Sequence, residues 1–137
     1  MNIKLFRKAG EPTAAVPLYL CQSTRENLKL WQRHKTVEKM QQELAKEIES
    51  FDRWEFLALD EAGKVKAMLI IGKHRNAHFG YHLYISHAFS TEAGALTPGF
   101  RWVKELAKAL RCDGYKLSRQ TSTEGEMLDK YYRLWND

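Results

Sequence analysis

Residues Gly80–Gly114, GYHLYISHAFSTEAGALTPGFRWVKELAKALRCDG, read as a strand, a glycine-containing turn, a helix and a stop. Tyr81, Leu83 and Ile85 alternate with His82, Tyr84 and Ser86, the two-residue period of a sheet strand. Thr97 is suited to an N-cap, and Pro98 suits the first helical position because no N–H is needed there. Phe100, Val103, Leu106, Ala107 and Leu110 then recur at helical spacing, and Gly114 offers a left-handed stop. A strand that feeds a helix through a turn aims free backbone N–H groups above the strand end, where anions bind.

Outward from this unit, Asn2–Arg7 is a short first strand, and Glu11–Pro17, with two prolines, is a loop. Ser23 and Glu26 have capping-box spacing and open a helix carrying Leu28 and Trp31 on one side. Thr36 caps a second helix, whose stripe of Val37, Met40, Leu44, Ile48 and Phe51 must bury against something. Trp54–Leu59 and Val65–Ile71 are strands joined by the turn Asp60–Gly63. A second turn, about Gly72–Phe79, leads into the strand at Gly80, so an antiparallel meander is expected. After the Thr97 helix, Tyr115–Arg119 can lie parallel to the preceding strand through a right-handed crossover. The segment GEMLDKYYRLW closes the chain as a helix-like tail. The order is β-α-α-β-β-β-α-β-α: one α+β domain over residues 1–137, a mixed, mostly antiparallel sheet with helices on both faces.

The 137 residues suffice for one two-layer core, and no apolar run approaches the roughly 20 residues that span a bilayer. No secretory h-region stands at the N-terminus, so a cytoplasmic protein without a membrane partner is expected. Cys21 and Cys112 lack ligand spacing and read as two buried free thiols. His74, His78, His82 and His87 would form a metal-binding face only on a helix, and this stretch reads as turn and strand, so no metal is expected. The net charge of +5 permits an acidic partner, but the basic residues are scattered and form no tract, which speaks against nucleic acid.

This element order resembles that of the GCN5-related N-acetyltransferases (GNATs). In that family the fourth strand splays from the fifth, acetyl-CoA enters the wedge, and a Q/R-x-x-G-x-G/A loop holds the pyrophosphate before the next helix. The resembling loop here is Ser90–Gly99. Gly94 matches the first glycine, Thr91 stands at the leading Gln/Arg, and Leu96 or Gly99 stands at the second small residue. The resemblance implies acetyl-CoA as cosubstrate, held by Ile85, His87 and Phe89 on the strand and by Gly94, Thr97, Gly99 and Arg101 around the turn. Glu92 would set a carboxylate near the pyrophosphate, with Arg101 or Lys104 to compensate.

Tyr131-Tyr132-Arg133-Leu134-Trp135 resembles the family's aromatic C-terminal helix ending, with Trp135 and Asn136 in place of Gly-Phe. That helix often supplies a tyrosine acid, which makes Tyr131 and Tyr132 candidates. Glu55, and His82 or Tyr84, are base candidates by position; His82 otherwise reads as a solvent-facing sheet residue. The family's last hairpin is missing or reduced to a stub before Asp137, implying a C-terminally truncated fold. The activity implied is acetyl transfer to a small-molecule or protein amine. The rival is a catalytically inactive interaction protein, resembling small phage-encoded GNAT-like proteins and virion-associated, with a protein partner or a second copy of the chain.

Overall fold

The structure, a computed structural model, describes residues 1–135. Its elements are β1 (Asn2–Arg7), α1 (Leu18–Asn27), a 3₁₀ segment (Lys29–Arg33), α2 (Val37–Ile48), β2 (Arg53–Leu59), β3 (Val65–Asn76), β4 (Gly80–Ser90), α3 (Thr97–Ala109), β5 (Gly114–Gln120) and β6 (Met127–Arg133). The strands form one six-stranded sheet in sequence order. All neighbours are antiparallel except β4 and β5, which are parallel and joined by α3.

The central strands are buried on both faces, as a two-sided sheet requires. Leu57, Met68, Ile70 and Phe89 face α1 and α2, where Leu20, Cys21, Met40, Leu44 and Ile48 cover them. Phe56, Leu69, Ile71, Leu83 and Ile85 face α3 and meet Val103 and Ala107. The Met40, Leu44 and Ile48 stripe of α2 is therefore core, each of these buried side chains contributing about 1.5–3 kcal/mol. Val37 and, beyond the helix end, Phe51 pack against it partly buried. Thr36 caps α2 as expected, its hydroxyl accepting from the Lys39 N–H at 3.2 Å. Asp60–Gly63 is the β2–β3 turn, with Gly63 at φ +80° where only glycine is unstrained.

Several boundaries differ from the sequence reading. Helix α1 starts after Pro17, so Ser23 and Glu26 lie inside it, while Leu28 and Trp31 fall beyond its end. The β3–β4 turn shrinks to Ala77–Phe79, because the Asn76 side-chain oxygen accepts from the N–H groups of His78 and Phe79 at 3.0 and 2.7 Å and closes it tightly. Leu96, not Thr97, precedes α3, without a side-chain cap. Arg111, at φ +56°, supplies the left-handed residue after α3, and Gly114 instead begins β5. The expected helical tail is the strand β6, because its backbone completes a ladder with β5 from Gly114↔Arg133 to Gln120↔Met127. Asn136 and Asp137, part of that tail, lie outside the described residues.

Candidate functional site

Strands β4 and β5 pair over only four residues each, from His82↔Gly114 to Ile85↔Leu117. Both continue, β4 to Ser90 and β5 to Gln120, so a wedge opens beyond Ile85. The opening coincides with a bulge. Across β3, Ile71 pairs with Ile85 and Ile70 with His87, leaving Ser86 as the extra residue. A bulge bends its strand and increases local twist, which turns the end of β4 away from β5.

Two cavities lie along this wedge and a third adjoins them across β4. On the α3 side, about 400 Å³ is bounded by Ile85, Phe100, Arg119 and Tyr132. Through the sheet, about 360 Å³ is bounded by Trp31, Ser86, His87, Phe89, Phe100 and Arg119. On the α2 side, about 570 Å³ is bounded by Glu47, Phe51, Asp52, His74, Tyr84 and His87. The last two share Ser86 and His87.

At that junction the polar groups are connected. His87 is buried; its Nδ1 lies 2.8 Å from the Ser86 hydroxyl and its Nε2 lies 3.4 Å from a Glu47 carboxylate oxygen. The hydrogen bond from His87 holds the Glu47 carboxyl below the usual range against the opposing effect of burial, with the charges of His87 and Arg33 adding to it. Tyr84 lies beside them, its hydroxyl 2.8 Å from Ser118, which donates a very short hydrogen bond to Asp129. Lys116 sits 4.5 Å over the Tyr84 ring. His74 packs edge-on to Tyr84, and burial, then His82 and Lys116, push its pKa down, so it is neutral at neutral pH.

The α2-side cavity has two carboxylates in its lining, with Lys116 over Tyr84 and the charge of Arg33 acting on Glu47. Glu47, in the last turn of α2, and Asp52 line it. Lys73 also borders it, but its ammonium lies 5.3 Å over Tyr81 and acts on Cys112, on the α3 face.

The residues singled out in the sequence divide sharply. Ile85 lies in the α3-side core at the last β4–β5 pair, and His87 and Phe89 line the wedge. Gly94, at φ +80°, makes the turn before α3 with open space around it. The first turn offers fewer free donors than expected, since the Thr97 N–H is bonded to the Gly94 carbonyl and Pro98 has none. Gly99 is a packing glycine: a Cβ there would stand 2.7 Å from Leu69 and 2.8 Å from Phe56, so it lets α3 approach the sheet. Arg101 is exposed on the first turns of α3. Lys66, rather than Arg101 or Lys104, offsets Glu92, at 2.7 Å.

Glu55 is not poised as a base. It is 1% exposed, accepts from Arg53 Nε at 2.8 Å and from the Thr13 hydroxyl at 2.9 Å, and faces none of the three cavities. His82 is not solvent-facing: it is buried among His74, Phe79 and Tyr131. Its Nδ1 meets the Gly80 carbonyl at 3.1 Å, and its Nε2 has no hydrogen-bond partner among the described residues. Tyr131 and Tyr132 sit on a strand, not a helix. Tyr131 stacks on Phe79 at 4.5 Å, and burial, then Asp113, raises its pKa. Tyr132 stacks on Tyr115 at 4.9 Å and borders the α3-side cavity.

Ser86, Glu47 and the Tyr84–Ser118–Asp129 connection escaped the sequence reading. Ser86 and His87 are adjacent in sequence, and regular strand alternation would send them to opposite faces. Among the described residues no group of three His, Cys, Asp or Glu is placed to hold a metal, and no helix is long and apolar enough to cross a membrane.

No protein-family model matches the chain, nor does any curated protein sequence. Solved structures do. A candidate acetyl transferase from Pyrococcus furiosus aligns with a TM-score of 0.59 at 14% identity, over 89% of this chain and 86% of that one. The aminoglycoside antibiotic 6'-N-acetyltransferase of Acinetobacter baumannii aligns with a TM-score of 0.57 at 17% identity, over 90% and 82%. An aminoglycoside acetyltransferase from an uncultured soil sample aligns with a TM-score of 0.53 at 16% identity, over 90% and 83%. The chain therefore has the GNAT-like fold, and at these identities the likeness establishes the fold alone.

Proposed function

We propose that this protein transfers an acyl group from an acyl-CoA thioester, acetyl-CoA foremost, to a cationic amine. The observation that carries the reading is the meeting of the wedge cavity with an acidic cavity at Ser86 and His87. The wedge takes the donor between β4 and β5, with the Gly94 turn and exposed Arg101 toward its phosphates. Glu47 and Asp52 attract an ammonium, from a small molecule or a protein side chain. Bound there, the amine must lose a proton before it attacks. His87, oriented by Glu47, is the base at the junction.

Calorimetric titration with acetyl-CoA, using CoA and pantetheine as controls, tests the donor half. Micromolar binding that requires the pyrophosphate, weakened by Arg101→Glu, is expected. Amine-dependent thiol release tests the acceptor half.

A second reading draws on the turn itself: the spent Thr97 N–H, Pro98 and the nearby Glu92 make a poor pyrophosphate seat. On that reading the fold is a non-catalytic interaction module, working in a bacterial cytoplasm or a phage particle through a protein partner or a second copy. Absence of heat at millimolar acetyl-CoA would select it.

A further inference from the structure

The geometry points to Ser86 as a nucleophile that carries the acyl group covalently, so that the Ser86–His87–Glu47 array can hydrolyse acyl thioesters and activated esters as well as pass the acyl group on. For the thioester donor, this inference rests on the function proposed above; for activated esters it stands without it.

Three observations support it. The first is the bulge. A regular strand would hold adjacent Ser86 and His87 apart, and the extra residue at Ser86 brings its hydroxyl to 2.8 Å from His87 Nδ1. The second is the tautomer that the partners select. With Nε2–H donating to the Glu47 carboxylate at 3.4 Å, Nδ1 keeps its lone pair and accepts the Ser86 proton. Among the described residues that hydroxyl's other acceptor is the Ile70 carbonyl, at a weak 3.4 Å. Nucleophile, base and orienting carboxylate are thus in mutual reach, the arrangement that activates a serine. The third is access: Ser86 is half-buried and borders both the wedge and the acidic cavity.

In the step itself, Ser86 Oγ adds to the acyl carbon while its proton passes to His87 Nδ1. The adduct collapses with cleavage of the bond to the leaving group, which takes that proton from His87. Water or an amine, deprotonated by His87, then attacks the Ser86 ester. The product is a carboxylic acid or an amide, and the Ser86 hydroxyl regains its proton.

The test uses the intact chain and p-nitrophenyl acetate, which needs no CoA site, followed by stopped-flow release and mass spectrometric mapping. The expected result is a nitrophenolate burst with one acetyl group on the Ser86 peptide. Ser86→Ala and His87→Gln should each lower turnover by about a hundredfold or more. Ser86→Cys, which preserves shape and a nucleophile, should retain the label as a thioester. Glu47→Gln should slow acylation and alter its pH profile, a change that mere packing would not cause. An unchanged burst in Ser86→Ala, a label only on lysines, Cys21 or Cys112, or no burst with either p-nitrophenyl acetate or acetyl-CoA would overturn the inference. Acetyl-CoA binding without acyl-Ser86 would leave direct transfer to the amine standing. A burst without acetyl-CoA binding would keep the nucleophile and remove the CoA reading.

Discussion

Glu55 and Glu47 face the same side of the sheet, each beside a nitrogen-bearing side chain, and they do opposite work. The Arg53–Glu55 pair is closed. Arg53 is 0% exposed, and its guanidinium also donates to the carbonyls of Lys8 and Glu11 at 3.2 and 2.8 Å. The other oxygen of Glu55 takes the Thr13 hydroxyl, so the network ties the β1–α1 loop to β2. Glu47 is open. Its side chain is 66% exposed, its histidine partner lies at 3.4 Å, and that histidine passes the contact on to a serine bordering two cavities. A satisfied, buried pair builds architecture; a pair with one end at a cavity can move protons.

That contrast can be broken by mutation. The largest expected effect is on stability at the closed pair. Glu55→Ala leaves a fully buried guanidinium without its carboxylate, and should cost about 3–5 kcal/mol in urea denaturation. A loss below about 1 kcal/mol, the range of exposed pairs, would show the network open to water.

Glu47→Gln should change stability by less than about 1 kcal/mol, because its carboxylate is mostly exposed. Its folded pKa lies below the unfolded value, so its contribution is present above the ordinary 4.5 and lost as pH falls through the folded value. Unfolding midpoints of the wild type and Glu47→Gln should therefore converge on acidification below that range. A gap that widened there would sink the assignment.

The smallest effect belongs to His74, whose pKa is pushed below its ordinary 6.5 chiefly by burial. The unfolded chain then takes up the proton first, so stability declines as pH falls from about 6.5 and levels off below the folded pKa. An NMR titration of His74 should show a midpoint below 6.5, rising part of the way in His82→Gln. A midpoint at or above 6.5 would mean that the acidic cavity, not desolvation, governs this histidine.

Legibility in the sequence followed the reach of each interaction. The α2 stripe, the Asp60–Gly63 turn and the strand–turn–helix unit were readable because each is written in residues a few positions apart. The last segment misled for the same reason. Met127, Leu128, Tyr131 and Tyr132 fall at spacing that suits a helix, and an edge strand with little cover on either face shows no clean alternation. Pairing with β5 decided it. Gly99 drew attention as a phosphate-loop candidate, yet the closeness of Leu69 and Phe56 accounts for it.

By itself the sequence determined the α+β class, the meander, the crossover helix and the apolar stripe of α2, because period and turn chemistry are local properties of the chain. Only the tertiary structure decided which polar groups are architecture and which stand at a cavity. Glu47 and His87 are 40 residues apart, and they meet because α2 packs over β4. Ser86 reaches His87 because the register with β3 slips by one residue at that point. A pairing slip and a helix-to-sheet contact are set by the assembled core, and neither leaves a mark in the order of residues.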